Sequence, residues 1–122
     1  MSPVPSKAEE LVRSYYERVD ADDVDGLLGL FSEEAVYRRP GYEAMNGRAE
    51  LEAFYRGERV IRKGSHTVHT ITEQLPRVAV SGSFSGELKD GRQVSVEFAD
   101  FFTLESDGRF GRRETFFYAP LV

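Results

Sequence analysis

The hydrophobic residues at the start of the chain repeat every three or four positions, which is the period of an α-helix that buries one face. Ser6 and Glu9 have the spacing of a capping box, in which two side chains satisfy free N–H groups at the start of a helix. The buried face of this first helix is predicted to contain Ala8, Leu11, Val12, Tyr15, Tyr16 and Val19.

Two shorter helices and a strand are predicted next. Asp22 or Asp23 can cap the second helix. Its predicted buried residues are Val24, Leu27, Leu28 and Phe31. Residues 35–39 are predicted to form a short strand that ends at Pro40-Gly41. After a break at Asn46-Gly47, a third helix is predicted to extend to about Arg59, with Leu51, Phe54 and Tyr55 on one side.

The second half of the chain shows the two-residue alternation of strands. Strands are predicted at residues 65–75, 77–88, 94–104 and 110–118, with turns at Asp90-Gly91 and Asp107-Gly108. In the middle hairpin, a two-residue turn would put the apolar sets of the two strands on opposite faces, so a bulge or a three-residue loop is expected. In the last hairpin, a two-residue turn would place Thr115 opposite Asp100.

Asp100 is an acid on a strand face that is otherwise apolar. It shares that face with Val94, Val96, Phe98 and Phe102. A lone acid on such a face is costly unless it is paired, protonated or used in function. Asp100 is therefore the first candidate for a functional residue.

These elements predict one α+β domain over residues 1–122. Three N-terminal helices are expected to pack on one face of a curved antiparallel or mixed sheet. A curved sheet with helices on its concave side leaves a cone-shaped cavity, which is a candidate ligand site.

The composition narrows the classes of function. The 122 residues include no cysteine, so thiol catalysis and thiolate metal sites are excluded. A net charge of −5 and the lack of a basic stripe argue against a nucleic-acid partner. No segment is apolar enough to cross a membrane and no signal peptide is visible, so a cytoplasmic location is expected. No phosphate loop or dinucleotide motif is present, and no cofactor is expected.

The order of elements and several local strings resemble the nuclear-transport-factor-2-like superfamily. The resemblance is closest to its ketosteroid-isomerase-like and SnoaL-like polyketide-cyclase-like branches, and it covers nearly the whole chain. The strings that carry it are residues 12–16, 22–31, 46–55, 98–102 and 107–109. It implies the fold more specifically than the reaction, because the superfamily includes isomerases, cyclases, epoxide hydrolases, dehydratases and non-enzymes.

The resemblance also implies roles for three residues. In ketosteroid isomerases, a tyrosine on the first helix and an aspartic acid on a late strand donate hydrogen bonds to the substrate oxyanion. Tyr15 and Asp100 match these positions, and Tyr55 matches a second tyrosine that supports the first.

The chain departs from the isomerases at their catalytic base. Arg39 stands where the isomerase aspartate precedes a proline. A guanidinium stays charged and cannot abstract a proton. If Arg113 faces the cavity beside Asp100, it would pair with the acid. A pocket with Arg39, Arg113 and Asp100 would favour an acidic or strongly polar ligand. Either arginine could bind a substrate carboxylate or form an internal salt bridge.

His66 is the candidate replacement base, because histidine exchanges a proton near neutral pH. The alternative is a strand-edge histidine in contact with water. His66 and His69 are three residues apart, which on a strand puts them on opposite faces, so no shared metal is expected. Thr115, Phe98 and Phe117 fall on the predicted face of Asp100 and are expected to contribute to substrate binding.

Three hypotheses follow. The leading one is a cofactor-independent isomerase, cyclase or hydrolase that polarises a carbonyl or epoxide with Tyr15 and Asp100 and moves a proton with His66, or with an acid that the sequence does not place. Its ligand would be a small hydrophobic or weakly acidic organic molecule. The alternative is a non-catalytic ligand-binding or dimerisation module in which Asp100 and Arg113 form a buried structural pair. The third is a protein-docking domain with a large apolar patch on the convex sheet face, a face that could equally form a homodimer.

Overall fold

The computed structural model describes residues 4–118. Within them, the helices are α1 (Lys7–Asp20), α2 (Val24–Leu28) and α3 (Arg48–Ala53), and α3 continues into a π-helical turn (Phe54–Glu58). The strands are β1 (Phe31–Arg38), β2 (Met45–Asn46), β3 (Ile61–Gln74), β4 (Arg77–Leu88), β5 (Gln93–Leu104) and β6 (Phe110–Phe117). The predicted α+β class is confirmed.

Helix α1 begins as its sequence predicts. The Ser6 side chain accepts a hydrogen bond from the Glu9 N–H at 3.0 Å. The Glu9 carboxylate pairs with Arg13 at 3.1 Å instead of closing the capping box. The predicted apolar stripe is buried, except that Leu11 is only partly buried.

Helix α2 is shorter than predicted. Asp23 caps it, and its carboxylate accepts a hydrogen bond from the Gly26 N–H at 3.0 Å. The prediction that Phe31 belongs to this helix is wrong, because Phe31 begins β1. The preceding Leu30 carbonyl already accepts a hydrogen bond from the Phe110 N–H at 2.8 Å, which starts the contact with β6.

The six described strands form one mixed sheet in the order β2-β1-β6-β5-β4-β3. Strands β3 to β6 pair antiparallel in sequence order, whereas β1 pairs with β6 in parallel. The sheet is therefore not wholly antiparallel. The parallel pairing places Tyr37 beside Arg113, so the first strand contributes to the same region as the last.

Of the two predicted alternatives for the hairpin between β4 and β5, a bulge or a three-residue loop, the structure has the three-residue loop. Leu88 N–H donates to the Arg92 carbonyl at 2.8 Å, and Gly91 has a φ of 91°, which favours glycine. With this loop, Phe84 lies opposite Val96 on one face of the sheet.

The last hairpin has the predicted register but not the predicted turn. Thr115 lies opposite Asp100, as expected. The two-residue turn is wrong, because Glu105 N–H donates to the Arg109 carbonyl around a three-residue loop. A register shift after Thr103 compensates for the extra residue.

The middle of the chain differs from the prediction mainly at element boundaries. The third helix ends at Glu58, close to the predicted Arg59. Strand β3 begins at Ile61, four residues before the predicted start, because it pairs along nearly the whole of β4. Strand β2, which pairs with β1, overlaps the predicted break at Asn46.

The helices cover one face of the sheet near both of its edges. Helix α1 contacts β3, and α3 contacts β1. The space between these contacts lies over β4, β5 and β6. Among residues 4–118, no helix has the length and apolar character needed to cross a membrane.

Candidate active site

A cavity of about 230 Å³ lies between the helices and the sheet. Apolar side chains from β4, β5 and β6 form most of its wall, because alternate residues of these strands point toward the helices. Its polar lining residues are Tyr15, Tyr37, Arg39, Tyr55, Arg59, His66, Arg113 and Thr115. An apolar cavity with a few convergent polar groups has the usual form of a small-molecule site.

Asp100 is fully buried and is not among the residues that line the cavity. Its Oδ2 accepts hydrogen bonds from the Tyr16 hydroxyl at 2.5 Å and from Arg113 Nη2 at 2.8 Å. Its Oδ1 accepts a hydrogen bond from the Thr115 hydroxyl. Asp100 is therefore an acceptor paired with a cation, and its place in the structure is behind the cavity wall.

Arg113 connects Asp100 to the cavity. Its guanidinium lies between the rings of Tyr15 and Tyr37, with its central carbon 4.5 Å from each ring centroid. Its Nη1 donates hydrogen bonds to the hydroxyls of Tyr15 at 2.6 Å and Tyr55 at 3.2 Å. The two rings fix the plane of the guanidinium, so its donors have fixed directions.

The hydroxyl oxygens of Tyr15 and Tyr55 are 2.5 Å apart, and each hydroxyl carries one proton. Both oxygens already accept a hydrogen bond from Arg113. If one hydroxyl donates its proton to the other, the second O–H remains free. The pair therefore offers the cavity one hydroxyl donor with a guanidinium directly behind it. We call Tyr15, Tyr55 and Arg113 the donor cluster.

Burial keeps the phenols of this network protonated. Burial raises the pKa of Tyr15 well above its ordinary 10.0, although the charge of Arg113 lowers it in part. Burial, and then the nearby Asp100 carboxylate, raise the pKa of Tyr16. Burial also raises the pKa of Tyr55 against the effect of Arg113. The pKa of Arg113 is lowered by burial but raised further by Asp100 and the phenols, so the guanidinium stays charged.

The raised pKa of Tyr16 predicts a loss of stability in alkali. The fold should keep its full contribution from this residue below about pH 10, where unfolded tyrosine is still protonated, and lose it as the pH rises further. We expect Tyr16→Phe to make this decline shallower by about 1.4 kcal/mol per pH unit, measured as the free energy of unfolding in urea. Tyr118→Phe is the control, because that side chain is exposed. An unchanged slope in Tyr16→Phe would contradict the prediction.

His66 lies on the cavity wall and is held by an acid that the sequence reasoning missed. Its Nδ1 is 2.5 Å from Oδ1 of Asp20, the last residue of α1. The other oxygen of Asp20 accepts the His66 backbone N–H at 2.8 Å. A carboxylate on Nδ1 requires a proton there, which leaves Nε2 as the basic nitrogen. The His66 ring packs against Phe84 and Phe98, and its side chain is 11% exposed.

The other predicted site residues are also placed. Arg39, Thr115, Phe98 and Phe117 all line the cavity. His69 lies at a register shift in β3, and its Nε2 is 3.4 Å from the Ser83 hydroxyl on the opposite face of the sheet. Among residues 4–118, no three histidine or acidic side chains are grouped as metal ligands.

Four residues of the site were not predicted: Tyr16, Asp20, Tyr37 and Arg59. Tyr16 was expected only as a core residue, yet its hydroxyl donates a hydrogen bond to Asp100. Asp20 could have been singled out from the sequence, because an acid at the C-terminus of a helix interacts unfavourably with the helix dipole. An acid at that position indicates that another contact stabilises it. Tyr37 alternates with Arg39 on the first strand, which also indicated a common face.

The fold and the cavity together define a class of small α+β proteins with a cavity between a helical layer and a mixed sheet. The chain belongs to the SnoaL-like domain family, whose model matches residues 12–112. This match confirms the resemblance drawn from the sequence. No curated protein matches the chain.

Solved structures share the fold at low sequence identity. An NTF2-like protein of unknown function from Burkholderia pseudomallei is 22% identical, with a TM-score of 0.84, and the match covers 93% of this chain and 92% of that one. SalBIII, an epoxide hydrolase/cyclase-like enzyme with a role in pyran ring formation in salinomycin, is 21% identical, with a TM-score of 0.81 and coverage of 92% and 91%. An LEH-like epoxide hydrolase of Mycobacterium tuberculosis is 16% identical, with a TM-score of 0.81 and coverage of 95% and 86%.

Proposed function

We propose that this protein binds a small organic molecule with a carbonyl or epoxide oxygen in its cone-shaped cavity and catalyses proton transfer on it without a cofactor. The reaction would be that of an isomerase, a cyclase or a hydrolase. One observation carries the proposal: the donor cluster and the Asp20-paired His66 line the same apolar cavity. A donor for an oxygen and a base for a proton are the two groups that such a reaction needs.

The donor cluster would stabilise negative charge that develops on the ligand oxygen. Its free hydroxyl is the direct donor, and Arg113 strengthens that hydroxyl as a donor by its charge. Asp100 balances the guanidinium and holds it in place, so we assign Asp100 a positioning role. This differs from the direct contact with substrate that the sequence led us to expect.

His66 would supply the base that Arg39 cannot. Its Nε2 is free of hydrogen-bond partners among the described residues, while Asp20 fixes Nδ1. Asp20 would also stabilise the imidazolium that forms when Nε2 takes a proton. Two structural neighbours bear epoxide-hydrolase names, and epoxide opening also requires an oxygen donor and a base.

Proton exchange on simple ketones tests this proposal without knowledge of the natural substrate. We expect the protein to speed deuterium incorporation beside the carbonyl of at least some cyclic ketones in D₂O, followed by NMR. Tyr15→Phe should lower that rate about tenfold, since one charge-backed donor is lost while Tyr55 and Arg113 remain. Tyr42→Phe is the matched control, because its hydroxyl contacts the Val60 N–H and the residue does not line the cavity. Equal rates in both variants would contradict the role of the donor cluster.

A second candidate function is a non-catalytic ligand-binding module. The observation that favours it is the buried Asp100–Arg113 ion pair itself, since both carboxylate oxygens and both terminal nitrogens of the guanidinium are hydrogen-bonded. Within the pair, only Arg113 Nε lacks a partner among the described residues. This candidate predicts ligand binding with no exchange above the buffer rate. The exchange experiment therefore separates the two candidates.

The homodimer and the cytoplasmic location expected from the sequence remain proposals. Phe116 is 53% exposed on the outer sheet face and packs against Phe101, which gives a homodimer an apolar contact. Ser81, Ser83 and Ser85 occupy the neighbouring positions of β4 on that face. The large apolar patch required for a protein-docking domain is therefore not supported there.

A further inference from the structure

The cavity wall has a charge opposite to that of the whole protein. The chain carries a net charge of −5, yet no acidic residue appears among the described residues that line the cavity, whereas Arg39, Arg59 and Arg113 do. Asp100 neutralises Arg113 from behind. The charges of the other two arginines need a different explanation.

Arg39 is half-buried and donates no hydrogen bond to any described side chain or carbonyl. Its Nε is buried without a partner among the described residues. The guanidinium carbon lies 5.3–5.4 Å from the ring centroids of Tyr42, Phe54 and Phe117. Aromatic faces hold a guanidinium in place but leave its in-plane donors free. Arg39 is thus a positioned cation with unused donors.

Arg59 lines the same cavity and also lies over an aromatic ring. Its guanidinium carbon is 5.9 Å from the centroid of the Tyr55 ring, and the ring of Tyr55 is 5.0 Å from that of Phe54, on which Arg39 rests. No described side chain accepts a hydrogen bond from Arg59. Arg77 and Arg109 also make no side-chain hydrogen bond in the described residues, but both are exposed to water.

The described acids that line the same hollows as these arginines have partners of their own. Arg39 also borders a second hollow that contains Glu114, and Glu114 contacts Arg38 at 3.4 Å and Arg112 at 3.1 Å. Arg59 borders a hollow that contains Asp90, which pairs with Arg92 at 2.8 Å. These carboxylates are therefore already engaged, and an anion from outside the chain could satisfy the two arginines.

We propose that Arg39 and Arg59 form an anion subsite that binds a carboxylate of the ligand. The substrate would then be an amphipathic organic acid, with its carboxylate at these arginines and its carbonyl or epoxide oxygen at the donor cluster. This inference rests on the proposed function for the second contact but not for the first. A planar carboxylate matches the planar donor fork of arginine, and a single negative charge suits a cavity whose remaining wall is mostly apolar.

The test compares a carboxylate with its neutral amide. We expect wild-type protein to bind 2-naphthoate about 10- to 100-fold more tightly than 2-naphthamide in calorimetry, because a charge-assisted hydrogen bond is lost with the amide. Arg39→Gln should remove most of that preference and leave amide binding within about twofold. Arg39→Lys keeps the charge without the planar fork and should retain part of the preference.

Arg109→Gln is the matched control, since it removes the same charge from an exposed arginine outside the cavity. It should leave the preference for naphthoate unchanged. Thermal denaturation of each variant checks that the fold is intact, and Arg59→Gln provides a second probe of the subsite. Equal affinity for the two naphthalene probes, or equal loss of both in Arg39→Gln, would overturn the inference.

Two further outcomes also overturn it. If wild-type protein does not bind 2-naphthoate, the ligand class is wrong. If 2-naphthyl phosphate binds more tightly than the carboxylate, the subsite takes a phosphate ester. Because binding is measured without turnover, a preference that persists while proton exchange is absent would preserve the subsite and refute the catalytic proposal.

Discussion

Asp100→Ala is expected to destabilise the protein by about 3–5 kcal/mol, measured as the free energy of unfolding in urea. The substitution leaves the guanidinium of Arg113 charged, 4% exposed and without its anion. It also removes the acceptor for the hydroxyls of Tyr16 and Thr115. Unpaired buried charges and donors cost far more than exposed ones, because no water can replace the lost partner.

Arg113→Ala should destabilise the fold to a similar extent, for a complementary reason. It leaves Asp100 as a buried anion and opens a space between the rings of Tyr15 and Tyr37. The double variant should lose less stability than the two single variants added together, since neither partner is then left alone. That difference isolates the interaction of the pair from the packing of each side chain.

Arg62→Ala is the control for this measurement. Arg62 pairs with Glu87 at 3.0 Å, but its side chain is 65% exposed. Exposed ion pairs contribute about 0–1 kcal/mol, so little change is expected. The buried pair is not a structural element of the fold if the free energies of unfolding of Asp100→Ala and Arg113→Ala both lie within about 1 kcal/mol of the wild-type value. That threshold is the upper end of the range for exposed ion pairs.

The sequence predicted most of this architecture because two strong patterns repeat in it. The helical stripe on α1 and the alternation along β4 and β5 indicate which faces are buried. For the apolar side chains of both strands to share a face, the sequence required either a bulge or a three-residue loop, and the structure has the loop at Gly91. The pairing of β1 with β6 could not be predicted in the same way. It joins distant parts of the chain, and no local pattern distinguishes a parallel neighbour from an antiparallel one.

The sequence predicted which residues belong to the site more reliably than it predicted which of them contact one another. Tyr15 and Tyr16 both belong to the buried stripe but point about 100° apart, so the rotation of α1 about its own axis decides which hydroxyl reaches Asp100. The structure gives that contact to Tyr16 and turns Tyr15 toward Tyr55. Asp20 was missed because it and His66 are 46 positions apart in sequence and meet only through the packing of α1 on β3.

His66→Gln is expected to lower the rate of proton exchange on an accepted ketone by about 10²- to 10⁴-fold, the usual contribution of a general base. Glutamine retains a polar side chain of similar reach, but its amide does not take up a proton near neutral pH. His69→Gln is the matched control, because it changes the same residue type on the opposite face of the sheet. An exchange rate in His66→Gln within twofold of that in His69→Gln, a gap far below the loss expected for a general base, would exclude His66 as the base.

Asp20→Asn should separate positioning of His66 from its chemistry. The carboxylate 2.5 Å from Nδ1 requires a proton on that nitrogen, and an asparagine amide can instead donate to it and favour the other tautomer. We expect a loss of about 10- to 100-fold in exchange rate, together with a change in the ¹⁵N NMR signals that distinguish the two ring nitrogens. A loss of rate without that change would mean that Asp20 acts only through the backbone N–H of His66, which it also binds. A changed tautomer with an unchanged rate would show that the orientation of His66 does not matter for the reaction, and the pairing of the two residues would then be structural.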